Sequence, residues 1–248
     1  MRRINWKRLT ITVIIILVLT IAASVGLWMR ATLGPSSIAL TALQSDDQVS
    51  VSQASEFITF SPADRSSTSA FILYPGAGVD PRSYAPLLRQ IAARGHLAAV
   101  LDMPLNLAIF DPDAADQVIA DHPEIENWAI GGHSLGGVVA ASYVANRSTI
   151  AGLVLLAAYP DSNALKDSDI LTLSIYGSLD GLTTPQDIDD SRPLLPTDTV
   201  FREIEGGNHS QFGSYGLQRG DNEASISPDE QWSQIVEAIV TLLNTVTE

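Results

Sequence analysis

The sequence predicts an α/β fold, a mostly parallel sheet with helices on both faces, preceded by one N-terminal transmembrane helix. Three observations carry this. Short apolar runs alternate with longer segments of helical periodicity along most of the 248 residues. Several of those runs are apolar at every position, as strands buried on both faces are. The stretch from Leu9 to Met29 carries no charge, and at about 1.5 Å per residue it spans a hydrocarbon core of about 30 Å.

The tail, residues 1–8, is basic: Arg2, Arg3, Lys7 and Arg8 precede the apolar run, and only Arg30 follows closely. By the positive-inside rule this tail stays cytoplasmic and the rest of the chain lies on the extracytoplasmic side of the cell membrane. Residues 9–29 then form a single-pass anchor. The alternative is secretion after signal-peptide cleavage. Against it, the run exceeds the about 7–15 residues of a signal peptide. Its small residues "IAAS" also lie inside the run, with Leu27, Trp28 and Met29 after them. Residues 30–48 mix Gly, Pro, Ser and Asp with few large apolar groups and read as a linker. Residues 49–248 read as one domain of ordinary size.

Within that domain, "EFITF" and "SAFILY" are strands, the second buried on both faces. Pro81 to Gly95 opens with proline, spaces its leucines helically and closes with glycine. "HLAAVLDM" is a strand. "DPDAADQVIADHP" is a short helix with Asp111 as cap, Pro112 at its first position and Pro123 at its end. "NWAIGG" is a strand that runs into the helix "SLGGVVAASYVAN". "IAGLVLLAAYP", "ILTLSIYG" and "TVFREIEGG" are further strands. The last helix starts after Ser227, with Glu230 completing a capping box.

Charge narrows the function. The first 30 residues hold five Lys/Arg and no acid, leaving nine basic against 28 acidic residues, a net charge of −19. Such a body repels nucleic acid and anionic lipid heads. With no cysteine there is no disulfide, thiolate nucleophile or Cys-based zinc site. No cofactor is called for. "RGDNEASISPDE" spaces Asp221, Glu223 and Glu230 like calcium ligands, but Arg219 at the first ligand position and Ala224 at the glycine position exclude a calcium loop. Two glycosylation sequons occur, at Asn146 and Asn208. A glycan on Asn208 would block His209.

Gly132-His133-Ser134-Leu135-Gly136 is a G-x-S-x-G turn between a strand and a helix. In a parallel sheet such turns lie at the carboxyl edge, where sites form. A serine hydroxyl needs a base. His133 packs under the turn, His96 begins a strand and His122 closes a helix. His209, in "EGGNHSQFG" after the last strand, has the right edge and chain order. The acid that orients it is Asp180 in "YGSLDGLTTP", with Asp161 in "AAYPDS" as the alternative. Asp187 and Asp189 fall on a following helix and read as surface.

These segments, "FILYPGAGVDPRSYAPLLRQIAARG", "GGHSLGG", "YGSLDGLT" and "GGNHSQFG", make residues 50–245 resemble the α/β-hydrolase superfamily, and within it the small, lidless, dienelactone-hydrolase-like group. The resemblance implies an eight-stranded sheet and a Ser134–Asp180–His209 triad. It also implies an oxyanion hole from the backbone of Leu135 and of Ala77, with Gly76 as the alternative to Ala77. Dienelactone hydrolases proper use cysteine, which this chain lacks. The expected function is a serine hydrolase acting on a small-molecule ester or related acyl group. The alternative is a non-catalytic binding protein of the same fold displayed at the membrane. Only nine residues, "DSNALKDSD", separate the strands on either side of the usual cap insertion. The site is therefore expected to be open to water.

Overall fold

The structure, a computed structural model, describes residues 10, 13–20, 26, 28 and 32–247. The chain divides into two compact units, Met1–Thr32 and Leu33–Glu248. In the first, residues 13–20 are helical, and the large apolar side chains from Val13 to Leu19 are exposed. The basic tail and much of the expected anchor at 9–29 lie outside the described residues. Among the described residues no helix is long and apolar enough to cross a membrane.

The second unit is built on eight strands: β1 (Val49–Gln53), β2 (Phe57–Pro62), β3 (Ser69–Tyr74), β4 (Leu97–Leu101), β5 (Asn127–His133), β6 (Gly152–Leu156), β7 (Leu171–Gly177) and β8 (Val200–Ile204). Their order across the sheet is β1-β2-β4-β3-β5-β6-β7-β8. β1 and β2 pair antiparallel, as do β2 and β4, and every other pair is parallel. The pleat sends alternate side chains to opposite faces, so β3 feeds two cores. Phe71 and Leu73 join α2 (Ala85–Ala93) and α6 (Pro228–Thr245), where Leu88, Ile91, Trp232, Ile235 and Ile239 are buried. Ala70, Ile72 and Tyr74 join α3 (Ala115–Asp121) and α4 (Leu135–Ala145) through Val118, Val139 and Tyr143. α6 begins with the expected capping box, Ser227 and Glu230 each bonding the other's backbone. α5 (Pro185–Ser191) follows β7.

Three local readings change. Residues 33–48 are not a free linker but part of the second unit. The Leu33 amide donates to the Gly78 carbonyl at 2.7 Å, and the Asp80 amide donates to the Leu33 carbonyl at 3.0 Å. Ser36 caps a short helix, α1 (Ser37–Ala42), and its hydroxyl meets that of Ser214 at 2.7 Å. Backbone and hydroxyl hydrogen bonds hold this segment, together with Leu43, which enters the core, and Leu33 and Ala42, which pack against it. The third helix starts at Ala115, not at Pro112, because the Pro112 carbonyl is taken by the Tyr74 hydroxyl at 2.6 Å. β1 is an additional antiparallel edge strand. Between β6 and β7, residues 157–170 form turns and no helix, with Pro160 and Leu165 buried there beyond Ala158.

Candidate active site

Ser134 sits between β5 and α4 with φ 52° and ψ −123°. A non-glycine residue holds such a backbone only where its surroundings impose it. Here glycines impose it by allowing close approach. A Cβ on Gly132 would lie 2.2 Å from the Gly136 carbonyl, and one on Gly136 would lie 2.2 Å from the Tyr74 carbonyl oxygen. Strand, turn and helix therefore pack backbone to backbone, and the serine is pushed out at the apex. Ser134 is half-buried, and its hydroxyl makes no hydrogen bond among the described residues.

Asp180 and His209 follow β7 and β8 at the same carboxyl edge. His209 Nδ1 and Asp180 Oδ2 are 2.9 Å apart, with both side chains almost wholly buried. The other carboxylate oxygen of Asp180 accepts from the amides of Leu182 and Thr183 at 2.8 and 2.7 Å. Hydrogen bonds of this kind offset the cost of burying the carboxylate. Asp180 at Nδ1 leaves Nε2 as the ring nitrogen for proton transfer, and Nε2 makes no hydrogen bond among the described residues. Serine–histidine contacts of this kind commonly tighten only when substrate binds. Asp161 is exposed, and Asp187 completes the N-terminal capping box of α5 with Thr184. Neither has a hydrogen bond to His209.

The other histidines are accounted for. His96 Nδ1 bonds Ser69 Oγ at 2.7 Å, and His122 pairs with Glu124 at 3.0 Å. His133 is fully buried under the turn, yet its ring centroid is 4.5 Å from that of His209 and 5.5 Å from that of Phe212, on which it stacks. Burial, and then the nearby His209 charge, hold the His133 pKa well below 6.5. Its Nδ1 lies 2.9 Å from the Tyr84 hydroxyl, which accepts from the Gly76 amide at 2.9 Å. The Tyr84 proton is thus free to go to Nδ1. This bond commits the Gly76 amide, whereas the amides of Ala77 and Leu135 make no hydrogen bond among the described residues. Leu135 is also the first residue of α4, where the helix dipole favours negative charge.

Asp221, excluded by its sequence context as a calcium ligand, has a role that only the fold discloses. In the structure its Oδ1 accepts from the Gly181 amide at 3.0 Å and the His209 amide at 3.4 Å. Its Oδ2 accepts from the Ser210 amide at 2.8 Å and the Ser210 hydroxyl at 2.6 Å. The histidine loop is also tied to α6. Gln231 bonds both the amide and the carbonyl of Asn208, at 3.1 and 2.9 Å. Asn208 is 2% exposed, which closes that sequon to modification. Among the described residues no group of His, Cys, Asp or Glu is arranged to hold a metal ion.

Solved structures share this architecture at low sequence identity. A predicted CIB-like hydrolase from Thermoplasma acidophilum matches with a TM-score of 0.59 at 14% identity, over 78% of this chain and 99% of its own. The Thermus thermophilus protein TT1662 matches with 0.60 at 14%, over 81% and 98%. A cold-adapted esterase from an Arctic intertidal metagenomic library matches with 0.54 at 14%, over 81% and 96%. No curated protein matches by sequence. A model of the alpha/beta hydrolase family matches residues 70–233, from β3 through the turn at Ser134, Asp180 and His209 into α6, and the chain belongs to that family.

Proposed function

We propose that this protein is a membrane-anchored serine hydrolase that cleaves an ester or a related acyl bond. The observation that carries the reading is the buried 2.9 Å contact between Asp180 and His209, at the edge where Ser134 stands on a positive-φ turn. Ser134 Oγ attacks the acyl carbonyl while His209 Nε2 takes its proton. The oxygen of the tetrahedral intermediate accepts hydrogen bonds from the Leu135 and Ala77 amides. The intermediate collapses, His209 returns the proton to the leaving group, and water releases the acyl group by the same steps. Asp180 fixes the Nδ1–H tautomer and stabilises the imidazolium.

The substrate class follows from the rim and the field. Leu105, Ile109, Phe110, Tyr159 and Leu182 are exposed in loops that follow β4, β6 and β7. They favour an apolar group beside the scissile bond. The net charge of −19 beyond residue 30 disfavours an anionic one. A small neutral ester fits both. The uncharged run at 9–29, with exposed apolar side chains on its helical residues 13–20, supports the membrane anchor. The basic tail supports an extracytoplasmic catalytic domain.

Fluorophosphonate labelling of wild type beside Ser134→Ala tests the chemistry. The expected result is an adduct on Ser134 in the wild type and none in the variant; equal labelling of both sinks the assignment. A reporter active only in the cytoplasm, fused after Glu248, should stay silent. Mass spectrometry of the mature N-terminus separates an anchor from a cleaved signal peptide.

A further inference from the structure

Asp221 lies outside the three residues assigned to the reaction, yet it touches both loops that carry the acid and the base. Its carboxylate accepts from the residue after Asp180, from His209 itself and from the residue after His209. The Ser210 hydroxyl adds a fourth donor and in turn accepts from the Gln218 amide at 2.9 Å. The neighbouring Asn222 strengthens the same junction. Its side chain donates to the Leu179 carbonyl at 3.1 Å, and its carbonyl accepts from Asn208 at 2.6 Å. Residues 179–181 and 208–210 leave neighbouring strands, and the β7–β8 pairing and the Leu179 amide on the Gly207 carbonyl, at 2.9 Å, bring them side by side. The loop at 221–222 adds a second tie across their tips.

We propose that Asp221 is a positioning residue: its carboxylate clips the Asp180 loop to the His209 loop. This rests on reading Ser134, Asp180 and His209 as the hydrolytic triad. The Asp180–His209 hydrogen bond depends on the relative placement of two loops, and an error of about 1 Å in such a contact costs up to about 10²-fold in rate.

The groups packed around His209 can be named. Asp180 faces it from the end of β7, and His133 from the end of β5. Tyr84 is bonded to His133, and Tyr215 interacts with Asp180 and Asp221; burial keeps both phenols neutral.

The test uses the full-length protein with Asp221→Asn, which keeps the shape and removes the charge, and Asp221→Ala, which removes both. Asp187→Asn is the control, a carboxylate that also bonds a backbone amide and a hydroxyl but only within its own helix cap. Two quantities are read: the rate of fluorophosphonate labelling of Ser134, and the His209 Nδ1–H proton signal by NMR, which reports the hydrogen bond to Asp180. Asp221→Asn is expected to slow labelling about tenfold and to shift or broaden that signal. Asp221→Ala should do both to a greater degree, and Asp187→Asn should change neither. A wild-type rate overturns the proposal. So does a slower rate with an unmoved signal, which would mean that the Asp180–His209 contact does not depend on the clip. If both Asp221 variants fail to fold, Ser210→Ala carries the test, since it strips one donor from the clip; a wild-type labelling rate there also overturns the proposal. If the folded wild type does not label at all, the hydrolase reading fails, while the Nδ1–H signal still judges the clip.

Discussion

Around Ser134, the proposed nucleophile, the contacts that fix it lie mostly in the adjoining strand and helix. Around His209, they come from far along the chain. The turn at Ser134 is set by Gly132 and Gly136, whose hydrogens are the only side chains that fit between backbones. The histidine loop is held instead by hydrogen bonds to Asp180, 29 residues away, to Gln231, 23 residues from Asn208, and to Asp221, 12 residues on. One half of the site is sterically determined and stiff. The other half is an assembly of polar contacts, each worth about 0.5–1.5 kcal/mol, and more where a carboxylate is the acceptor. The nucleophile should therefore tolerate almost no change of shape, and the base almost no change of hydrogen-bonding partner.

The largest effects test the chemistry that both halves serve. Ser134→Ala and His209→Ala should each lower turnover by about 10³-fold or more, measured as steady-state ester hydrolysis. Asp180→Asn should lose about 10²–10⁴-fold, whereas Asp161→Asn should stay near wild type because that side chain is exposed. The reverse ranking would move the acid to the end of β6. Next in size is the N-terminal segment. A chain starting at residue 49 loses the contacts of Leu33 with Gly78 and Asp80 and those of Ser36 with Ser214. Its labelling rate should fall about tenfold below that of a chain starting at residue 33, since loop placement alone carries factors of this size.

A smaller contrast compares two glycines. Gly132→Ala puts a methyl 2.2 Å from backbone atoms and should cost about 3 kcal/mol or more. Gly216→Ala, in the histidine loop, meets nothing within 4 Å and suffers only its positive φ of 86°. It should cost about 1 kcal/mol. Thermal unfolding of the two variants measures the difference, and equal losses would break the comparison. Smallest is a pH effect. His133 is buried neutral, with its pKa held well below 6.5. As pH falls through about 6.5 the unfolded chain takes up a proton that the folded chain refuses. Stability is thus fully present above that pH and declines below it. His96, lowered by burial, acts with the same sign. His133→Phe should flatten part of this decline in denaturation midpoints taken between about pH 5 and 8.

The same contrast explains what the sequence discloses. The strands, the helix periodicities, the capping box at Ser227 and the glycines around Ser134 are legible because each is enforced by neighbours in the chain. The family resemblance supplies the eighth strand, which seven apolar runs alone do not reveal. Residues 33–48 are misread because their partners are distant in the chain and their few apolar anchors, such as Leu43, show no clear periodicity; a Gly/Ser/Pro composition looks the same whether it is docked or free. The commitment of the Gly76 amide to Tyr84 depends on a turn that brings a tyrosine back under the loop, and no local pattern marks it. Asp221 is invisible for the same reason. In sequence it is one acid among 28, and only the fold makes it the meeting point of two loops.

The contact between Ser36 and Ser214 spans 178 residues. During synthesis the front of the domain waits through most of translation for the partner that completes it. Leu33 can pair with Gly78 early, but beyond its own helix cap Ser36 has no partner until the chain has passed β8. His209 and Asp221 emerge in that same late stretch. Pairings of such long sequence separation are slow to form because loop closure must precede any reward. A chain cut short before His209 carries the serine turn without the base proposed to activate it. On that mechanism, hydrolysis waits for the last stretch of the chain to be made.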